Sequence, residues 1–171
     1  MIKLKYTKEM VVESARLADS MGAINNSITN GAGNRAGFLA ELVLASYLGA
    51  ARDDKFGYDL FLDGKRIEVK TKRRTAPPRD FYDGSVAVSS GHQHPDFFAF
   101  LSLTFEGKKI INGCEYYFGL DSIWYCGVIS YKNFILKSKL CKKGERDPSN
   151  NFVAPTDMRN IKYSELEYDI L

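Results

Sequence analysis

The sequence predicts an α+β domain, an α/β/α sandwich in which a central mixed β-sheet is flanked by helices. Three observations carry that reading. Two helix-patterned stretches come first, a strong hairpin signal follows, and the rest alternates strand-like runs with turns and one short helix. Aromatic residues make up 13% of the chain and gather, as Tyr and Phe, in its second half, which favours a sheet over a helical bundle.

From Thr7 to about Met21 the apolar residues Met10, Val11, Ala15, Leu17 and Ala18 fit a helix, with Thr7 as its N-cap. Ala23 to Gly33 (AINNSITNGAG) is rich in Asn and Gly and reads as a loop in which Asn25, Asn26 and Asn30 serve the turn or touch a backbone. A second helix is expected from about Asn34 to Leu48, stopped by Gly49. YDLFLDGKRIEVKTK then reads as two alternating strands around Asp63-Gly64, a dipeptide that supplies the left-handed backbone a tight hairpin requires. Thr75 to Gly84, with Pro77 and Pro78, is a predicted loop. Strands are expected at Ser85–Ser89, Phe97–Phe105 and from Glu115 to Leu120 or beyond, with a helical turn near His94–Phe98. SYKNFILK suits a short amphipathic helix, and Lys142 to Pro155 a loop. With 171 residues, 44% of them hydrophobic, and no repeat or linker, one domain spanning residues 1–171 is expected.

Composition excludes several classes. MIKLKYTKEM lacks the apolar stretch of a signal peptide, and no apolar run approaches the roughly 20 residues that span a bilayer. Cys114, Cys126 and Cys141 are odd in number and widely spaced, so they read as reduced core cysteines of a cytoplasmic protein, and Cys126 has no neighbour that would activate a thiolate. His92 and His94 have no cysteine at zinc-ligand spacing and belong to a loop.

The hairpin permits a register argument. With Asp63 and Gly64 as the turn, Leu62 pairs with Lys65, Phe61 with Arg66 and Leu60 with Ile67, which sets Asp59 opposite Glu68. Two carboxylates facing each other across about 5 Å repel unless a cation neutralises them, and hard oxygen ligands suit Mg²⁺. Alternation puts Arg66, Glu68, Lys70 and Lys72 on one face, with Ile67, Val69 and Thr71 on the other. In the preceding helix, Glu41 is the sole charged residue between Arg35 and Arg52. A helix apolar nearly all round is buried, and a buried carboxylate requires a basic partner, such as Arg35 or a Lys, or a metal.

A helix with Glu41, then Asp59, eight intervening residues and Glu68-Val69-Lys70 resembles the PD-(D/E)xK nuclease superfamily of phage and bacterial type, which has the restriction-endonuclease-like core. Tyr58 stands where the name-giving Pro would be, a position that varies. The resemblance covers roughly residues 34–131, including DFFAFLSL and YYFGLDSIWYCGVISYKNF, which look like the later core strands and helix. It implies an endonuclease that hydrolyses DNA with Mg²⁺ or Mn²⁺. Asp59 and Glu68 would hold the metal with the Val69 carbonyl and Glu41, and Lys70 would assist attack by water. It also implies a bacterial or phage-infected cell as the setting. Duplex or branched DNA is the expected partner, and a homodimer is an allowed assembly.

Net charge is only +3, so a nucleic-acid reading rests on placement. Residues 65–79 hold seven basic side chains against Glu68 alone, and Arg66, Lys72, Arg73, Arg74 and Arg79 are the candidate phosphate contacts. Lys137, Lys139, Lys142, Lys143 and Arg146 form a weaker second patch. The bland counterparts are an exposed hairpin with a cross-strand salt bridge and a lysine-protected edge strand. At the level of function, the alternative is a catalytically inactive nucleic-acid-binding or protein-interaction module with the same fold.

Overall fold

The run Phe97–Leu103 carries no charge, and a strand apolar on both faces belongs in the middle of a sheet. The computed structural model describes residues 1–21, 34–53, 57–88, 95–112, 114–146 and 152–169. In it that run opens the strand around which the rest is arranged. In chain order the elements are β1 (Ile2–Leu4), α1 (Lys8–Met21), α2 (Asn34–Leu48), β2 (Ala51–Arg52), β3 (Leu60–Leu62), β4 (Lys65–Arg74), β5 (Asp83–Ala87), β6 (Phe97–Ile111), β7 (Cys114–Ser130), α3 (Tyr131–Lys137), β8 (Lys139–Cys141) and β9 (Met158–Lys162), followed by a 3₁₀ turn at Tyr163–Glu165.

The fold is mixed α+β. A six-stranded sheet runs in the order β1-β7-β6-β4-β3-β2, and β4–β6 is its parallel pair. One face is covered by the helices: Leu39, Ala40, Val43 and Leu44 of α2 pack with Leu60, Ile67, Ala99, Leu101, Leu103 and Ile123. The other face meets Val86, Phe134 and Ile161, which pack with Phe98, Phe100, Cys126 and Ile129. Those three residues belong to β5, α3 and β9, so the second cover is a three-stranded sheet, β5-β9-β8, aided by one short helix. The expected helical layer on this side is thereby corrected.

Both long helices match the sequence reading because their end signals are chemical. The Thr7 hydroxyl accepts the Met10 N–H, and Gly49 takes φ +69° while the Ala50 N–H donates back to the Ala45 carbonyl. The helix at Tyr131–Lys137 is present, capped by the Ser130 hydroxyl. Other boundaries shift. β5 starts at Asp83 instead of Ser85, Phe97 and Phe98 are strand instead of helical turn, and β6 and β7 extend to 15 and 17 residues. Past Phe105 the two strands continue as a ribbon, and Ile110, Tyr116 and Phe118 are exposed on it. The stretches expected as loops at residues 23–33 (with Asn25, Asn26 and Asn30), around His92 and His94, and at residues 147–151 lie outside the described residues. Among the described residues no helix is long and apolar enough to cross a membrane.

The two sheets meet closely where Gly84 lies against the ring of buried Phe100. A Cβ on Gly84 would fall 2.3 Å from that ring. Gly84→Ala is therefore expected to lower unfolding free energy by about 1–3 kcal/mol through overpacking. Denaturant titration checks it, and an unchanged midpoint would refute this packing.

Candidate active site

The hairpin turn fixes the site. Asp63 at φ 47° and Gly64 at φ 80° form a left-handed two-residue turn, and the pairs Leu62–Lys65, Phe61–Arg66 and Leu60–Ile67 are those the spacing predicts. The ladder then stops. Asp59 does not sit squarely opposite Glu68 as the next rung. Its N–H donates to the Ile67 carbonyl at 3.0 Å, and its side-chain Oδ2 accepts the Val69 N–H at 2.7 Å. The strands part because β4 continues beside β6, whereas the chain before Leu60 turns toward β2, where the Asp53 N–H donates to the Asp59 carbonyl. Asp59 thus replaces a backbone rung with its carboxylate.

Glu68, two residues before Lys70, shares its face of the strand. It is 5% exposed, and its Oε1 accepts the Lys70 ammonium at 2.7 Å. Its Oε2 is buried with no hydrogen-bond partner. A buried carboxylate oxygen without a donor is costly, and this one lies in the same charge cluster as Asp59.

Glu41 comes from α2. The sequence left Arg35 or a Lys as its protein partner, but the structure supplies Arg52: Arg52 Nε donates to Glu41 Oε2 at 3.0 Å, in a pair whose side chains are 18% and 13% exposed. Arg52 lies on β2 and pairs across the sheet with Leu60, next to Asp59, and its guanidinium packs over the Phe38 ring at 5.3 Å. Nothing in GAAR announced this role. It arises because the Gly49 stop folds the chain back along the sheet edge.

Electrostatics bind these groups together. Burial, then the charges of Glu68 and Glu41, hold Asp59 well above the usual carboxylate range, against the opposing pull of the Val69 N–H and Lys70. A divalent cation would reverse that balance, and the orphaned Glu68 oxygen fits one, so the residues present suit the group. Among the described residues, no three His, Cys, Asp or Glu side chains already converge as a ready cage. Val69 follows Glu68 on the strand and gives its N–H to Asp59.

The basic run is more structural than its composition suggests. Arg66 is engaged by Asp96 through its side chain and its backbone N–H. Burial, reinforced by Arg74, pushes the Lys72 ammonium down to about 8. Arg73 packs over Tyr117 at 4.8 Å, while Arg74 packs over Tyr82 at 4.5 Å and donates to the Asp83 carbonyl. Arg79 is exposed. In the second patch, Lys142 pairs with Asp157 and Lys137 with Glu165. Of the cysteines only Cys126 is buried, its thiol pushed up to about 12 by that burial; Cys114 is exposed, contrary to the core assignment.

No protein-family model, curated protein or solved structure matches this chain.

The raised Asp59 pKa has a signed consequence. Between the ordinary Asp value and the raised native one, the folded state binds more protons than the unfolded chain, so cation-free stability falls as pH rises through that window. A cation bound at this corner would displace that proton, so its affinity would climb with pH. Mn²⁺ at about 100 times its Kd is expected to raise Tm by about 5–10 °C. At one fixed Mn²⁺ concentration the shift should be larger at pH 8 than at pH 5.5 in thermal melts. A shift that is absent, or equal at both, would contradict the cluster as drawn.

Proposed function

We propose that this protein is a divalent-metal-dependent endonuclease that hydrolyses DNA phosphodiester bonds, of the PD-(D/E)xK type. One observation carries the reading: a buried carboxylate oxygen of Glu68 with no donor, in one charge cluster with an Asp59 held above its normal range, while a lysine two residues along the same strand already contacts the other Glu68 oxygen. The element order supports it. A helix with Glu41, a short strand entered at Asp59, the strand of Glu68 and Lys70, and a parallel neighbour in β6 agree with a restriction-endonuclease-like core.

Asp59 and Glu68 would hold the metal, with the Val69 carbonyl as a further oxygen and Glu41 beside them. Bound there, Mg²⁺ or Mn²⁺ lowers the pKa of a water and polarises a phosphate oxygen. Asp59 would hold the metal as a carboxylate, aimed by the hydrogen bond that it accepts from the Val69 N–H. Lys70 supplies a mobile positive charge beside the reacting phosphate, where negative charge grows as the water oxygen bonds to phosphorus and the bond to the leaving oxygen breaks. Low exposure of Glu68 keeps the surroundings poor in bulk water, which strengthens each of these charges. Lys72, Arg73 and Arg79 lie along or beyond the same strand and are the groups proposed to meet flanking phosphates.

Supercoiled plasmid, with linear, single-stranded and branched DNA alongside, tests the proposal in Mg²⁺, Mn²⁺ and EDTA. The wild type is expected to cut with metal only. Asp59→Ala, Glu68→Ala and Lys70→Ala are each expected to lose about 10²–10⁴-fold in rate while keeping a cooperative melt. Cutting that survives in any of the three, or persists in EDTA, would overturn the assignment. A wild type that binds these DNAs without cutting them would instead favour an inactive binding module.

A further inference from the structure

We infer that one face of the β6–β7 ribbon is a stacking platform for unpaired DNA bases, with Tyr116 and Phe118 as its rings and Lys109 as its phosphate contact. The inference rests on the reading above that DNA is the substrate, and it narrows that substrate to DNA with a single-stranded part. Beyond the pairs Arg74–Thr104 on β6 and Leu4–Ile123 on β7, no third strand flanks the ribbon among the described residues. The ribbon therefore has two faces of its own. Cross-strand pairing sorts them: Gly107–Phe118, Lys109–Tyr116 and Ile111–Cys114 share one, while Lys108–Tyr117 and Ile110–Glu115 share the other. The second face is closed on itself. Tyr117 packs against Phe105 at 5.3 Å and beneath Arg73 at 4.8 Å, its hydroxyl donates to Glu115 at 3.0 Å, and Lys108 pairs with Glu115.

The first face is bare. Tyr116 is 49% and Phe118 51% exposed, and neither ring, nor Lys109, has a hydrogen bond, ion pair or ring contact among the described residues. The end of the Phe118 ring fills the space over Gly107, where a Cβ would fall 2.5 Å from Cζ, so the ring reaches across the ribbon surface. Two residues apart on one strand, the rings stand about 6.5–7 Å from each other. Each offers an apolar face that an unpaired base can cover, whereas a duplex keeps its base faces stacked. Charge selects the occupant. Lys109 is the one charged residue among the pairs on this face, while Glu115 lies on the other and Glu106 turns to Gly119. A second copy laid here by a two-fold axis would set Lys109 against a surface with no acid to receive it. A phosphate backbone with splayed bases satisfies both the rings and the lysine. Because β6 runs parallel to β4, with Phe100 beside Lys70, the platform stands about 20–30 Å further along the sheet. Duplex at the Glu68–Lys70 corner with unpaired bases on the ribbon describes a tailed or branched DNA.

Fluorescence anisotropy of labelled DNA with the full chain in EDTA reads binding apart from cleavage. The wild type is expected to hold an oligothymidylate about tenfold more tightly than a blunt duplex of equal length. Tyr116→Leu and Phe118→Leu keep apolar bulk but lose the ring, and each is expected to weaken oligothymidylate binding about tenfold. Tyr116→Phe keeps the ring and should stay within about twofold of the wild type. Lys109→Gln should make the plot of log affinity against log salt shallower by about 0.7. If Phe118→Leu does not melt cooperatively, Tyr116→Leu alone provides the test. Equal affinity of the wild type for both DNAs, or unchanged affinity in a folded leucine variant, would overturn the inference while leaving metal-dependent plasmid cutting to support the nuclease. A wild-type dimer that Tyr116→Leu turns into a monomer, with DNA binding unchanged, would overturn it in favour of a second copy on this face. The predicted binding in a protein that never cuts would support the platform and overturn the nuclease. No binding to any DNA would overturn both.

Discussion

The Asp59 carboxylate takes the backbone N–H of Val69 at 2.7 Å, and the arrangement of the other charges at this corner depends on that bond. By standing in for a rung of the ladder, Asp59 closes the β3–β4 pairing at Leu60–Ile67, and β4 runs on beside β6. It also holds one carboxylate close to Glu68 in a region with little water. Like charges placed this way raise the cost of ionisation, which is why Asp59 is held above its ordinary range. Two cations offset part of that cost, Lys70 on Glu68 and Arg52 on Glu41. The strain is tolerated because the frame is stiff: β6 is buried from Phe98 to Thr104, and α2 is locked on the opposite face by Leu39, Val43 and Leu44.

What could be read from the sequence follows from where the signals are local. Thr7, Gly49 and Ser130 announce helix ends through hydrogen bonds and φ preferences that act over three or four residues. Asp63-Gly64 sets the hairpin register for the same reason. The two- to five-residue strands β1, β2, β8 and β9 carry no period long enough to recognise, so the second sheet was hidden, and with it the layer that replaces helices on that face. The lengths of β6 and β7 exceed the expected strands because EGKKII lies beyond the apolar run that marks β6. It is held as strand only by its partner, through pairs such as Lys109–Tyr116 and Ile110–Glu115.

The candidate site divides along the same line. Glu68 and Lys70 sharing a face is a matter of strand alternation and needs no tertiary information. That Asp59 turns its carboxylate to Val69, and that Arg52 reaches Glu41, depends on how β2 and α2 dock, which no local pattern encodes. The basic run shows the limit of composition most clearly. Its count is right, yet Arg66 and Arg74 are committed to Asp96 and to Tyr82 with the Asp83 carbonyl, and Lys72 is half-buried, its pKa lowered to about 8. On β4, charge density is partly a structural device that joins the central sheet to its cover.

The central claim, that Asp59 and Glu68 are held together for a cation, is tested most directly by anomalous diffraction from crystals soaked in Mn²⁺. The account predicts a peak about 2–2.4 Å from an oxygen of each carboxylate, on the side of the unpartnered Glu68 Oε2. A crystal in saturating Mn²⁺ with no peak at that corner, and with Lys70 still on Glu68, would contradict it.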